Sequence, residues 1–347
     1  MPSVLDFIEN KDVNLSQTEI YAAILGESPS KGAKSPTLWN AAFEGLSLSG
    51  RMHPMDVQAE RLEDLVAHLK KDRRFIGGAV TMPYKIQIIP FLDEIEPEAE
   101  AIGAVNCIYR GHDKLIGANT DGAGAIWSLK KYMPGSIEGK YALLMGTGGA
   151  GFAVAAYLAA ALGPQGRLQL LNRSSEARNQ LVRRLEGKCK IEIGDWPLRP
   201  DQVKAVDILI NCSSVGFETA KTDGKGAFSL RFYTPLGPLD DSIRVTTAEE
   251  IEKRYLIEAA EAIKTNYGHS LDVLASADHP FVFDIIYQPQ ETVLLFLAKM
   301  LGYQTLNGVP MNLEQAVIAF EKATVELASD GVQVDRNQIR TLMRKVW

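Results

Sequence analysis

The chain has 347 residues, enough for two domains with full cores, and its 46% hydrophobic and 23% charged residues are ordinary for a soluble globular protein. A formal net charge of −6, with no long run of like charge, excludes the concentrated basic face that a nucleic-acid backbone demands. It leaves room for a small anion held by a few local groups. Cys107, Cys189 and Cys212 are scattered, so neither a metal site nor a disulfide framework is read from them and a reducing compartment is expected. The start "MPSVLDFIENKDVN" is acidic and has no apolar core, and the longest apolar stretch, "AGFAVAAYLAAALG", is too short to span a bilayer. A cytoplasmic protein without a membrane or nucleic-acid partner is expected, as a monomer or homodimer.

Strand-like runs alternate with helix-like segments throughout. "YAAILG" (21–26) is followed by a polar loop "ESPSKGAKSP" (27–36) and an expected helix over 37–43. In "AERLEDLVAHLKK" (59–71), Leu62, Leu65, Val66 and Leu69 fall on one side of a helix. Strand "FIGGAV" precedes an expected helix opened by "TMPYK", then an acidic helix "DEIEPEAEAIG" and short strands around "AVNCIYR" and "KLIGANTD". A helix over about 122–132 bridges to a second unit. That unit opens with strand "YALLM" and continues through helix 151–162, strand "RLQLLN", helix "SSEARNQLVRRLEG" and strand "VDILINC". The region 217–280, rich in Gly, Asp, Thr and Pro, reads as a long irregular insertion with one helix at 248–264. Strand "FVFDIIY" closes the sheet, and the tail is helical. Such alternation predicts an α/β fold with mostly parallel, helix-covered sheets. The domain reading is 1–125 and 126–289, with helices of about 290–347 packing back toward the first.

Gly146, Gly148 and Gly151 form G-x-G-x-x-G within "GTGGAG", between an apolar strand and an alanine-rich helix. The first glycine permits the tight turn, the second admits a pyrophosphate to the backbone, and the third packs helix on strand. The helix N-terminus turns free N–H groups and a positive dipole end to the phosphates. The strand before, helix after and next strand are all present, which marks a dinucleotide site comprising Gly146, Thr147, Gly148, Gly149, Ala150 and Gly151. NAD sites place an acid at the end of the second strand. Here that end carries Asn172 and Arg173, followed by Ser174 and Arg178, and a guanidinium suits a 2′-phosphate. NADP is therefore favoured and NAD is the alternative, with Glu176 as a counter-signal. Ser213 and Gly308 complete the cofactor candidates.

Hydride transfer also needs a group to manage the alcohol proton. None of the five histidines has motif neighbours, whereas Lys85, after the strand "FIGGAV", and Asp121, at the strand end "GANTD", can form a lysine–carboxylate pair. The run "VTMPYK", "GAVN", "GANTDGAG", "GTGGAG", "NCSSVGF", "FDIIYQP" and "NLEQAVIAF" resembles, in order, the shikimate dehydrogenase family, including its quinate-using branch. The resemblance implies an N-terminal α/β substrate domain, a C-terminal doubly wound Rossmann domain and a cleft between them. It implies Lys85 and Asp121 as a catalytic dyad, and Thr81, Asn106 and Gln315 as ligands of cyclitol hydroxyls. It also implies Tyr287 lining the cleft, and Ser35 near the carboxylate of a small cyclitol carboxylate substrate.

The chain departs from the family pattern around the substrate. Ser-x-Ser-Pro and a later His-Asn are usual, but this chain has Ala33-Lys34-Ser35-Pro36 and Trp39-Asn40. The asparagine usual before Val-Thr is Ala79, and Arg178 is offset by one position from the family's second phosphate-binding arginine. Reversible NAD(P)-dependent oxidation of shikimate or quinate is the expected activity. A non-catalytic dinucleotide-binding regulator, or an amino-acid or folate dehydrogenase of similar architecture, is the alternative.

Overall fold

A computed structural model describes residues 3–15, 18–172, 181–218, 221–223, 225–240, 242–245, 251–327 and 335–347. The chain divides into two compact units, Met1–Gly124 with Asn312–Trp347, and Ala125–Met311.

The first unit is built on strands β1 (Ile20–Gly26), β2 (Gly50–Asp56), β3 (Phe75–Val80), β4 (Glu94–Ile95), β5 (Cys107–Gly111) and β6 (Lys114–Ala118), in the order β2-β1-β3-β5-β6-β4. β1 runs parallel to β2 and β3, and β4 parallel to β6, but β5 is antiparallel to both of its neighbours. Both faces of the sheet are covered. Tyr21, Ala23 and Leu25 of β1 join one apolar cluster, and Ala22 and Ile24 join another, because successive strand side chains point to opposite faces. The second cluster contains Trp39 and Phe43 from helix Ser35–Gly45, Phe320 from helix Val309–Thr324, and Ile339 and Met343 from helix Arg336–Arg344.

The second unit has a six-stranded sheet of β7 (Tyr141–Met145), β8 (Arg167–Leu171), β9 (Lys190–Ile193), β10 (Ile208–Asn211), β13 (Phe281–Asp284) and β14 (Thr305–Leu306). Every pairing is parallel, in the order β14-β13-β10-β7-β8-β9. This is the doubly wound 3-2-1-4-5-6 order, with its topological switch point between β7 and β10. Helix Gly149–Leu162 follows β7 directly.

Three local expectations are corrected. "TMPYK" opens a series of turns ending in a short 3-10 helix, Ile89–Phe91, rather than an α-helix. Tyr84 and Ile88 are buried there while Met82 and Ile86 are exposed, so a pattern with helical spacing is realised by consecutive turns. Region 217–280 is not irregular throughout its described residues. It carries a hairpin of β11 (Lys221–Asp223) and β12 (Gly226–Phe228), helices Ile251–Glu258 and Ala260–Ala275, and a core of Tyr233, Val245, Tyr255, Ala259 and Ile263. The returning tail begins later than about 290: helix Val293–Met300 buries Leu294, Leu295 and Leu297 with Leu143, Met145 and Val282 of the second unit, which extends to Met311.

The last helix is tied to its neighbour by a bidentate ion pair: Arg340 Nε and Nη2 donate to Glu314 Oε2 and Oε1 at 2.6 and 2.7 Å. Glu314 is 1% exposed, so Arg340→Ala strands a buried carboxylate and should cost about 3–5 kcal/mol. Thermal unfolding should show a lowered Tm, largely recovered in the Arg340→Ala, Glu314→Gln double variant. Recovery would be missing if the helix were held by packing alone.

Candidate functional site

In the first unit, the antiparallel insertion of β5 decides which residues meet. Its register aligns Ala79, Cys107 and Ala118 across three strands, so the start of β5 lies beside the ends of β3 and β6. Asn106, just before β5, therefore meets Asn119, Thr120 and Asp121, just after β6. The Val80 and Asn106 backbone N–H groups donate to the Asn106 and Ala118 carbonyls at 2.8 and 3.1 Å, continuing the ladder by one step.

Lys85 is presented by the turns after β3. The Tyr84 ring is buried, with its hydroxyl donating to the Val57 carbonyl at 2.6 Å, and the Lys85 carbonyl accepts from the Val105 N–H at 2.7 Å. The backbone on both sides of the lysine is thus held. Lys85 Nζ donates to Asp121 Oδ2 at 2.6 Å, and the two side chains are 20% and 11% exposed. Asp121 opens helix Asp121–Tyr132, where free N–H groups and the positive end of the dipole favour a carboxylate. Its second oxygen accepts from Asn106 Nδ2 at 2.7 Å, while Asn106 Oδ1 accepts from the Thr120 N–H at 2.7 Å. The amide orientation is therefore determined by partners on both ends. Gln315 Oε1 accepts from Thr120 Oγ at 3.4 Å, and Gln315 Nε2 donates to the Asn312 carbonyl at 3.0 Å.

Of the other predicted residues in this unit, Thr81 follows β3 directly and its N–H donates to the Leu25 carbonyl. Ser35 begins helix Ser35–Gly45 and is half-buried. Trp39, one turn later, is fully buried against Phe43 and Phe320, and Asn40 is bonded through both ends of its amide to Met52 of β2. Neither side chain is available to a ligand.

In the second unit, Gly146 has φ +92°, and a Cβ there would stand 2.7 Å from the Ser213 nitrogen. At Gly151 it would stand 2.1 Å from the Gly146 carbonyl oxygen, so only glycine lets this helix seat on its strand. Added side-chain atoms at Gly148 and Gly149 would enter open space, helix Gly149–Leu162 lacks a side-chain cap, and the buried Thr147 Oγ has no partner among the described residues. Orphan N–H groups, an orphan hydroxyl and room in front of them fit a pyrophosphate. Asn172 directly follows β8 in a half-buried position, while Arg173, Ser174 and Arg178 lie outside the described residues. Gly308 meets the Ile285 carbonyl, which a Cβ would approach to 1.8 Å, and Tyr287 is half-buried just beyond β13.

A supporting network behind the loop was not anticipated. Ser213 Oγ donates to Asn211 Oδ1 at 2.7 Å, Asn211 Nδ2 donates to Asp284 Oδ1 at 3.1 Å, and Thr292 Oγ donates to Asp284 Oδ2 at 2.7 Å. Burial pushes the fully enclosed Asp284 carboxyl up to about 7, against the pull of bonds from Ile286, Thr292 and Asn211. A single carboxylate inside the apolar run "FVFDIIY" was its one sequence signal.

A family model described as the shikimate dehydrogenase substrate binding domain matches residues 25–108. Shikimate dehydrogenase (NADP(+)) of Bacillus licheniformis is 33% identical over 294 residues, covering 85% of this chain and 88% of its own length. A crystal structure of a shikimate dehydrogenase in complex with NADP+ is 26% identical, with a TM-score of 0.67, covering 96% of this chain and 99% of that one. The ligand-free 5-ketofructose reductase of Gluconobacter sp. strain CHM43 is 25% identical, with a TM-score of 0.67 and coverage of 95% and 99%.

Because the folded-state Asp284 carboxyl titrates near 7 rather than near 3.8, its contribution to stability is complete below about pH 4 and falls as pH rises to 7. Asp284→Asn lacks this loss. In urea unfolding, its stability relative to wild type should improve by at most about 3 kcal/mol between about pH 5 and pH 8. A constant difference across that range would mean that Asp284 titrates normally.

Proposed function

Since this chain belongs to the shikimate dehydrogenase family, we propose that it is an NADP-dependent dehydrogenase interconverting a hydroxycyclohexane carboxylate, shikimate or quinate, and its 3-dehydro ketone. The observation that carries the reading is the Lys85–Asp121 pair, held from the far side by Asn106. A bound nicotinamide would supply the hydride acceptor for the carbinol carbon. Lys85 Nζ manages the hydroxyl proton, taking it during oxidation and returning it during reduction, while Asp121 holds the nitrogen in place. Thr81, Asn106 and Gln315 orient the ring hydroxyls, which contributes the positional part of the rate. The glycine loop binds the pyrophosphate, with Asn172, Arg173, Ser174 and Arg178 at the adenosine phosphate, and Ser213, Gly308 and Tyr287 complete the cofactor and substrate surroundings. The Bacillus licheniformis relative is a shikimate dehydrogenase of the NADP(+) type, which supports the choice over NAD.

Ser35 and the first-turn N–H groups of its helix receive the substrate carboxylate, with Lys34 supplying charge nearby. Ala33 offers no hydroxyl and Trp39 is committed to the core, so the grip is weaker than the family pattern provides, and space remains beside the carboxylate-bearing carbon. Quinate, tetrahedral and hydroxylated at that carbon, fits this space. The same deficit, with the likeness to 5-ketofructose reductase, supports a second reading in which the substrate is a neutral ketose.

Lys85→Ala should lower kcat by ~10²–10⁴ and leave NADP affinity, measured by fluorescence titration, near wild type. Near-normal turnover in the folded variant would remove Lys85 from the mechanism. Initial rates with shikimate, quinate and 5-ketofructose, each with NAD and NADP, should favour the two carboxylates with NADP. Ala33→Ser should then shift kcat/KM toward shikimate by roughly 0.5–1.5 kcal/mol, the worth of one neutral hydrogen bond. Preference for 5-ketofructose would select the ketose reading, and indifference to Ala33→Ser would put the carboxylate elsewhere.

A further inference from the structure

The loop that leaves β10 is built into the small core of region 217–280. Val215 is buried there with Tyr233, Tyr255, Ala259 and Ile263. The Gly216 N–H donates to the Leu230 carbonyl at 2.8 Å, so backbone as well as side chain ties the loop to that region. The sheet holds the same loop. Asn211 Nδ2 donates to the Val215 carbonyl at 3.0 Å, and the Glu218 N–H donates to the Gln288 carbonyl at 3.0 Å. Gly216 has φ +103°, and a Cβ there would stand 3.3 Å from Thr292. The region behind the loop is itself stiff. Asn266 of helix Ala260–Ala275 accepts from the Thr234 N–H at 2.9 Å and donates to the Thr234 carbonyl at 3.1 Å. Next to it the Tyr233 and Tyr255 rings meet edge to face, with their hydroxyls 3.3 Å apart. Between these anchors Ser214 of the loop is exposed.

A doubly wound sheet binds a dinucleotide across its switch point, one mononucleotide to each half. The glycine loop after β7 and the end of β8 belong to the half that takes the adenosine side. The loop after β10 opens the other half, which leaves it the nicotinamide side. We propose that region 217–280 is a positioning element for the nicotinamide end of the cofactor. Val215 and Ile263 are 6% and 7% exposed, so they act through the loop and not by touching the ligand. The inference rests on the reading of this chain as a nicotinamide-dinucleotide enzyme. A crossover that merely joined β10 to β13 would need no core of its own fused to the loop. A loop fixed before the cofactor arrives loses little freedom on binding, so loosening it weakens the nicotinamide half selectively.

The test is isothermal titration of the full chain with NADP and with 2′-phospho-ADP-ribose, which lacks only the nicotinamide, and in parallel with NAD and ADP-ribose. Wild type should bind the dinucleotide more tightly than its nicotinamide-free counterpart. Val215→Ala and Ile263→Ala should each weaken the dinucleotide by roughly tenfold and leave the counterpart unchanged. Ile263→Val should stay near wild type. Val273→Ala, on the same helix as Ile263 but packed with Leu143 and Val282 of the sheet, should lower Tm and leave every affinity unchanged. Melting curves of the free variants control for folding, and Val215→Ala decides by the same comparison if Ile263→Ala does not fold. The proposal alone is overturned if wild type does not distinguish the two ligands of a pair, if the variants weaken both equally or neither, or if Val273→Ala reproduces their pattern. Failure of wild type to bind either dinucleotide would overturn the cofactor reading and this proposal with it.

Discussion

The candidate site depends on one side-chain amide. Asn106 accepts from the Thr120 backbone with its oxygen and donates to Asp121 with its nitrogen, so the carboxylate enters its bond with Lys85 already oriented. A charge-assisted bond at 2.6 Å between two mostly buried groups leaves little rotational freedom to either. Asn106 can act this way only because β5 runs against its neighbours. In a wholly parallel sheet its start would lie at the opposite end from Asp121 and from the turn that carries Lys85. An irregularity of topology is thus the structural basis of this candidate site's geometry.

The second unit uses a comparable device. Asp284 at the end of β13 and Asn211 at the end of β10 bond across adjacent parallel strands, and Asn211 in turn holds Ser213. The Ser213 backbone lies so close to Gly146 that no side chain fits between them. The floor beneath the glycine loop is therefore set by a buried carboxylate, whose hydrogen bonds oppose the desolvation that raises its pKa. Rigid support of this kind lets loop N–H groups face a phosphate without rearrangement.

The departures from the family pattern share a physical logic. Trp39, in the place of a polar ring, closes an aromatic cluster with Phe43 and Phe320 that packs helix Val309–Thr324 against helix Ser35–Gly45. The position contributes packing instead of ligand contacts. The lysine, aspartate, asparagine and glutamine remain bonded to one another as a group, apart from this exchange.

How much was legible follows from which interactions are local. Alternating strand and helix periodicity predicted an α/β architecture, and G-x-G-x-x-G marked a glycine turn between an apolar strand and a helix, since both signals reside in neighbouring residues. Lys85 and Asp121 were singled out by residue type and motif, but 36 residues separate them and only the fold shows that they bond. The direction of β5, the turns at "TMPYK", the small core within 217–280 and the Asp284 network were not readable. Each is decided by partners distant in sequence: the β3 and β6 ladders, the Val57 carbonyl that anchors Tyr84, the packing of Tyr233 on Tyr255, and Asn211. By itself the sequence determined the element types, the glycine loop and the identity of the chemical groups, because backbone propensity and side-chain chemistry act over a few residues. The tertiary structure alone decided strand direction, amide orientation and which polar atoms are left unpaired, because those depend on groups that meet only when the chain folds.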